Sequence, residues 1–159
     1  MQKKHLIFLL AAFAAVPVLA KPVVVKEAQL LGKWQCADDN GTLRTFTFGS
    51  EQKVSAIVDA NFPSPDDETL AYRVFADGTW TVNGGKIGLN IKTTDVQRQH
   101  SIAKIRTIPW REVDKEMFAH LRNDIGDAIK LQMQIKKIGN DSLSVRMQGD
   151  RQDMACRKA

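Results

Sequence analysis

The stretch IKLQMQIKK, residues 129–137, alternates between apolar and polar side chains. The apolar positions, which share one face of an extended chain, are Ile129, Leu131, Met133 and Ile135. The segment KIGLNIKTT at 86–94 repeats the pattern. One buried face and one solvated face are typical of a strand in an antiparallel sheet. The two segments therefore predict an all-β protein.

Turn signals separate short alternating segments along the rest of the chain. The Asn-Gly pair of DDNGT at 38–42 and the Asp-Gly pair of ADGT at 76–79 adopt the positive φ angles of tight hairpins. VNGGK at 82–86 and GNDS at 139–142 mark two further turns. The predicted strands are residues 33–37, 43–49, 53–60, 69–76, 79–83, 86–93, 100–107, 128–138, 142–148 and 152–158. Because closure removes exposed edges, they predict an antiparallel up-and-down barrel of 8–10 strands.

One segment, WREVDKEMFAHLRNDIG at 110–126, has helical periodicity instead. Its apolar positions are Val113, Met117, Phe118, Leu121 and Ile125. Pro109 precedes them and Gly126 can end a helix, so we predict one amphipathic helix near 111–125. The polar outer faces of the strands offer it no apolar contact. We therefore expect the helix to cover an open end of the barrel, with Trp110 at its edge.

The first twenty residues have the features of an export signal. A basic start, MQKKH, precedes an apolar run too short to span a membrane, and VLA at 18–20 is a small-x-small cleavage site. Cleavage after Ala20 leaves a single domain, residues 21–159. No cysteine lies directly after the cleavage site, where a lipid anchor would be attached. Loss of Lys3 and Lys4 lowers the net charge from +5 to +3. We expect a periplasmic or secreted monomer with no membrane anchor and no nucleic-acid partner.

Cys36 and Cys156 both lie in the exported part of the chain. In an oxidising compartment two cysteines form one intramolecular disulfide by default, which would join the first predicted strand to the last. The alternatives are metal ligation and a redox pair. Neither is favoured, since there is no C-x-x-C, and His100 and His120 lack ligand-like spacing to either cysteine.

Three motifs resemble the small bacterial lipocalin-like domains of the calycin type. They are Gly32-x-Trp34 at the first strand, YRVFADGTWTVNGGKI at 72–87 and IKKIGNDSLSVRM at 135–147. In that family the tryptophan plugs the closed end of the barrel and a late arginine stacks on it. The resemblance thus implies a structural plug of Gly32 and Trp34, and an apolar or amphipathic ligand in the barrel.

The arginine of that plug has no certain counterpart in this chain. Arg157 matches by position, but Trp34 and Cys36 share one strand face. A bridge to Cys156 would therefore place Arg157 on the opposite face. A bulge, a missing arginine or a substitute such as Arg146 remain as alternatives.

Candidate catalytic groups are sparse. His100 and His120 are predicted to be solvated, because neither has the serine or cysteine partner and orienting acid of a hydrolase. The acidic PDDE at 65–68, within a predicted loop at 61–68, lacks the alternating ligands of a calcium site. We expect a protein that is not an enzyme, with no cofactor and no metal.

Two functions fit these features. The first is an exported binding protein for a small apolar or amphipathic ligand, although bulky inward residues could fill the barrel. Those residues are Phe46, Phe48, Tyr72, Trp80, Leu89, Leu131 and Met133. The second is a protein–protein module, such as an inhibitor or immunity-type partner of a secreted or cell-wall-active enzyme.

A basic stretch bears on both functions. Its cations are Arg98, Lys104, Arg106 and Arg111, for which the outer face of a strand is the simplest place. An acidic partner or an anionic ligand head-group is the alternative. Arg106, Trp110 and Arg111 are the candidate contact residues, because tryptophan and arginine dominate interface energies.

Overall fold

The computed structural model describes residues 23–39, 41–63 and 69–159. The predicted export signal at 1–20 and the acidic segment at 65–68 lie outside these residues. The described chain is mostly strands, and eight antiparallel strands close into an up-and-down barrel in which β8 pairs with β1. The predicted fold class is therefore confirmed.

The strands follow one another around the barrel in chain order. They are β1 (Gly32–Ala37), β2 (Leu43–Phe48), β3 (Lys53–Pro63), β4 (Thr69–Asn83), β5 (Lys86–Arg98), β6 (Ala128–Ile138), β7 (Ser142–Met147) and β8 (Met154–Lys158). The helices are α1 (Glu27–Leu30), a 3-10 turn (Ile102–Lys104) and α2 (Ile108–Asn123). None of the helices in the described ranges is long and apolar enough to cross a membrane.

Two predicted strand assignments are wrong. The predicted strands at 69–76 and 79–83 are one strand, β4. Gly78 does not turn the chain: it lies where a Cβ would clash with the carbonyl oxygen of Asn90 on β5, so this glycine allows a close approach of two strands. The predicted strand at 100–107 forms the 3-10 turn and the entry to α2, because Pro109 at the start of the helix favours helical φ.

Two other boundaries also differ from the prediction. Residues 61–63, expected in a loop, extend β3 and pair with β4. The helix begins at Ile108 rather than 111 and ends at Asn123 rather than 125. As a result β3 is as long as β6, with 11 residues each, and only β4 and β5 are longer, with 15 and 13.

The end of the barrel where β1 begins is closed by a plug. We call it the plug end; it holds α1 and the turns at 49–52, 84–85 and 139–141. Trp34 is fully buried there, and its indole Nε1 donates a hydrogen bond to the carbonyl oxygen of Leu30, 2.7 Å away. Val23 and Val25 of the preceding segment pack against the same core.

One contiguous cluster of buried side chains fills the barrel from the plug end. Phe48 and Trp80 meet edge to face with ring centroids 5.0 Å apart. The larger side chains of this cluster are Leu30, Trp34, Phe46, Phe48, Trp80, Ile87, Leu89, Ile91, Met133, Ile135, Leu143, Val145 and Met154. Five of the seven predicted inward residues belong to it; Leu131 packs at its edge, and Tyr72 belongs to a second cluster.

The disulfide between Cys36 and Cys156 is confirmed. The two residues face each other across β1 and β8, and their sulfur atoms are 2.05 Å apart. Both side chains are buried in the barrel core. The bond therefore closes the barrel covalently where its first and last strands meet.

A lysine occupies the position over Trp34. Lys158 pairs with Trp34 across β8 and β1, and its Nζ lies 5.4 Å from the centroid of the indole ring. Arg157 is paired with Gln35 and exposed, as the alternation argument predicts, and Arg146 binds Asp153 instead.

Two features of the structure favour glycine at position 32, the first residue of β1. Its φ of +111° is one that other residues rarely adopt, and a Cβ there would lie 3.1 Å from Cε of Lys158. The glycine of the Gly-x-Trp motif thus lets the lysine side chain pass toward the indole ring.

We expect Lys158→Met to lower the free energy of unfolding by at most about 1 kcal/mol, the range of an exposed cation–π contact. Arg157→Met is the matched control, because this neighbour points away from Trp34 and should leave stability unchanged. Urea denaturation of both variants measures the difference. Equal effects would show that the contact with Trp34 contributes nothing.

Candidate functional site

A β-bulge in β5 directs the polar side chains at the other end of the barrel. Phe75 pairs with Asp95 and Ala76 pairs with Thr93, so Thr94 is left without a partner in the ladder. The extra residue reverses the alternation that follows it, and Arg98 faces the barrel interior. This contradicts the prediction that Arg98 lies on an outer strand face.

Helix α2 covers this end, which we call the helix end. Leu70, Tyr72 and Ile105 form a second buried cluster, and Leu70 and Tyr72 lie on the same face of β4 as Trp80 in the barrel core. The helix residues that pack on this cluster are Trp110, Met117, Phe118 and Leu121. The helix therefore lies across the barrel end, as predicted, rather than against the outer wall.

The buried face of α2 is the predicted one only in part, because Met117, Phe118 and Leu121 pack on the cluster but Val113 and Ile125 do not. Val113 and Ile125 are 37% and 39% exposed, whereas Asp114 is only 2% exposed. The side chains that face the barrel are spaced as Trp110, Asp114, Met117, Phe118 and Leu121, so a carboxylate occupies the middle of an apolar stripe. A further contact follows the helix: the backbone N–H of Gly126 donates a hydrogen bond to the carbonyl oxygen of Thr93, beside the bulge.

Asp114 accepts hydrogen bonds from three side chains of the barrel. Tyr72 Oη donates to Oδ1 at 2.7 Å, and His100 Nε2 lies 2.9 Å from the same oxygen. Arg98 Nε lies 3.1 Å from Oδ1 and 3.0 Å from Oδ2. These contacts tie α2 to β4, to β5 and to the segment after β5.

The same neighbours set the ionisation of Asp114. Burial alone would raise the pKa of its carboxyl group. The hydrogen bonds from Arg98 and Tyr72 and the nearby positive charge outweigh burial, and they hold the pKa below its usual range. Burial, followed by the hydrogen bond to Asp114 and the charge of its carboxylate, raises the pKa of Tyr72. Asp114 is thus the anion of the cluster and Tyr72 a neutral donor.

Arg98 is held on two sides. Its Nε binds Asp114, and its guanidinium carbon lies 3.6 Å from the centroid of the Phe118 ring. Its side chain is 23% exposed. The guanidinium of Arg122 lies 5.7 Å from the same ring, so two cations approach one aromatic side chain.

His100 is not solvated as predicted: its side chain is 9% exposed. Its Nδ1 is 3.0 Å from the backbone nitrogen of Ala71 and 2.9 Å from the backbone oxygen of the same residue. A neutral ring can accept from the nitrogen and a protonated ring can donate to the oxygen, so His100 keeps a partner in either state. His120 is exposed on the outer face of α2.

Three partly exposed apolar side chains lie between the two buried clusters along β3 and β4. Val58 and Val74 pair across β3 and β4, and Ala60 pairs with Tyr72. All three share the inward face with core residues, yet all three are only half-buried. We call the partly exposed surface of Val58, Ala60 and Val74 the cleft; along β3 and β4 it lies between residues of the barrel core and the residues that contact α2.

The predicted contact residues Arg106, Trp110 and Arg111 lie around the entry to α2. Trp110 is half-buried against the second cluster. Arg111 donates from Nε to the carbonyl oxygen of Ile105 at 2.8 Å. Arg106 is exposed, and Lys104 lies in the 3-10 turn.

The sequence interpretation missed the cluster of Tyr72, Arg98, His100 and Asp114. One signal was present: Asp114 follows Trp110 by four residues and precedes Met117 by three, which places it on the apolar face. The described residues hold no group of three or more histidine, cysteine or acidic side chains suited to a metal ion. With its oxygens engaged by three donors, Asp114 acts on its neighbours rather than on a ligand.

No protein-family model and no curated protein sequence matches this chain.

Proposed function

We propose that this protein is an exported, lipocalin-like carrier that binds a small apolar or amphipathic ligand in the cleft at its helix end. The closed eight-stranded barrel is compatible with ligand binding. The observation that supports the site is the partial exposure of Val58, Ala60 and Val74, three inward-facing apolar side chains.

The cleft has the composition expected of a ligand site. Apolar walls next to a few fixed polar groups are typical of small-molecule pockets, which often lie at the mouths of β-barrels. Here the polar groups are Arg98, which forms an ion pair with Asp114, and Tyr72, which pairs with Ala60 and with Arg98 on the neighbouring strands. Helix α2 would restrict access from solvent, so ligand exchange would require its movement.

The proposed export agrees with the disulfide, because such bonds persist in oxidising compartments. The lipocalin-like assignment is supported by the barrel topology, by the Trp34 plug and by the cation over its ring, although that cation is a lysine. We propose a monomeric binding protein without catalytic activity or cofactor.

We expect Val74→Trp to weaken binding of the neutral apolar fluorophore N-phenylnaphthylamine by about tenfold or more, because an indole in the cleft occupies the ligand's space. Phe75→Trp is the matched control, since the next residue of β4 lies on the opposite face and should leave affinity unchanged. Fluorescence titration of delipidated protein measures both. Equal affinities of the two variants, or no binding by the unmodified protein, would reject the site.

A protein–protein module remains the second candidate. Ile108 and Ile102 are 74% and 51% exposed beside the entry to α2, and exposed apolar side chains of this size are common in interfaces. An inhibitor or immunity-type partner would use this surface. Failure of the unmodified protein to bind any apolar probe would make this the better hypothesis.

A further inference from the structure

We propose that the ligand is an amphiphile with a carboxylate, and that Arg98 binds this carboxylate through its two terminal nitrogens. The proposal rests on the proposed function and adds the chemical class of the ligand. It depends on how Arg98 is oriented, on which of its donors are used and on where it lies relative to the cleft.

The guanidinium of Arg98 is fixed before any ligand binds. Asp114 accepts the hydrogen bond from Nε, with both carboxylate oxygens within 3.1 Å of that nitrogen. Phe118 covers one face of the planar guanidinium. A planar cation held by its edge and its face has little rotational freedom left. Binding a ligand therefore costs less side-chain entropy than it would at a free surface arginine.

The terminal nitrogens are the unused part of this group. A guanidinium carries five N–H donors, and within the described chain Arg98 donates from Nε alone. The side chain is 23% exposed, so it is reachable. Two parallel N–H donors match the two oxygens of a carboxylate, which makes such a pair stronger and more directional than a contact with a hydroxyl.

Arg98 lies next to the cleft. It pairs with Tyr72 across β5 and β4, and the neighbouring inward pair is Val96 with Val74. Arg98 and Val74 are thus diagonal neighbours on one face, a relation that places backbones about 7–8 Å apart. A ligand with its carboxylate on Arg98 would reach the cleft with its apolar chain.

The local charge favours an anion. Asp114 compensates one positive charge, whereas Arg98 and Arg122 both approach Phe118, and His100 adds a charge when it is protonated. An added carboxylate balances this excess. A cationic amphiphile of the same length would meet repulsion from the same groups.

The test compares decanoate with decanol, which share a chain and differ in the head group. Displacement of N-phenylnaphthylamine at mildly alkaline pH and low salt gives both affinities. We expect decanoate to bind about tenfold tighter than decanol, since one charge-assisted bidentate contact is worth about that ratio. In Arg98→Met the ratio should fall to about one while decanol still binds.

Arg73→Met is the control for net charge. Arg73 neighbours Tyr72 on β4 but faces outward and pairs with Asp59, so its loss should leave the ratio unchanged. If Arg98→Met does not fold, Arg98→Lys keeps the charge beside Asp114 without the planar fork, and the ratio should still drop severalfold.

The outcomes separate the two proposals. Equal binding of decanoate and decanol by the unmodified protein would overturn the carboxylate assignment and leave the ligand function standing. If the preference for decanoate over decanol disappeared in Arg73→Met as well as in Arg98→Met, the carboxylate assignment would also be overturned. The preference would then be a general effect of net charge. No binding of either compound would reject the ligand function itself.

Discussion

Replacing both bridge cysteines, as Cys36→Ala with Cys156→Ala, will lower the free energy of unfolding by about 4 kcal/mol. The disulfide joins residues 120 positions apart, and restraining so long a loop in the unfolded chain accounts for a stabilisation of this size. Both side chains are also buried, so their loss adds a small packing cost. Urea denaturation of the double variant and the oxidised protein measures the difference.

Oxidised protein treated with a reductant is the control for the packing part. It loses the covalent bond but keeps both sulfur atoms, so it should be almost as destabilised as the double variant. A double variant as stable as the oxidised protein would show that β1 and β8 stay closed without the bond. The native protein should contain no titratable thiol among these two residues.

Asp114→Ala should be nearly as damaging, with a loss of about 3–5 kcal/mol. The change leaves Arg98 without its counter-ion and Tyr72 without its acceptor, and breaking a buried ion pair on one side is costly in this range. Asp114→Asn keeps an acceptor of the same shape without the charge. Its free energy of unfolding should therefore lie between that of the unmodified protein and that of Asp114→Ala. Near-ultraviolet circular dichroism, to which Tyr72 and Trp110 contribute together with the core tryptophans, would show whether α2 has detached.

The Asp114 carboxylate also predicts a pH dependence. Its pKa is lower in the folded protein than in the unfolded chain, so its contribution is complete above the unfolded value and is lost as the pH falls through the folded value. Stability should therefore decrease on acidification in the unmodified protein. Asp114→Asn should lose less over the same range, and an identical acid profile in both proteins would contradict the ionised state of Asp114.

The barrel could be predicted from the sequence because its determinants are local. The alternation in residues 86–94 and 129–137 appears directly in β5 and β6, and the Gly-Gly and Asn-Asp turns lie where expected. The disulfide could be predicted from two cysteines and the expectation of an oxidising compartment. The turn predicted from ADGT at 76–79 is wrong, because Gly78 lies within β4 and allows a close approach to β5.

The candidate site could not be predicted because it depends on register. Counting alternate residues along β5 places Arg98 outside, and only the unpaired Thr94 brings it inside. Asp114 and His100 look like ordinary polar residues until Arg98 and Tyr72 are placed beside them. The sequence contains each member of the cluster, but the bulge that assembles them is a property of two paired strands.

Thr94 also has a consequence for how such a barrel can diverge. Deletion of that single codon would remove the bulge and leave regular pairing, in which Asp95 still faces Phe75 and Val96 still faces Val74, so Val96 and Arg98 would keep the interior. A relative could therefore lose or gain this one residue and retain the entire polar cluster. Among descendants of a common ancestor, the length of this strand should vary independently of the presence of Asp114.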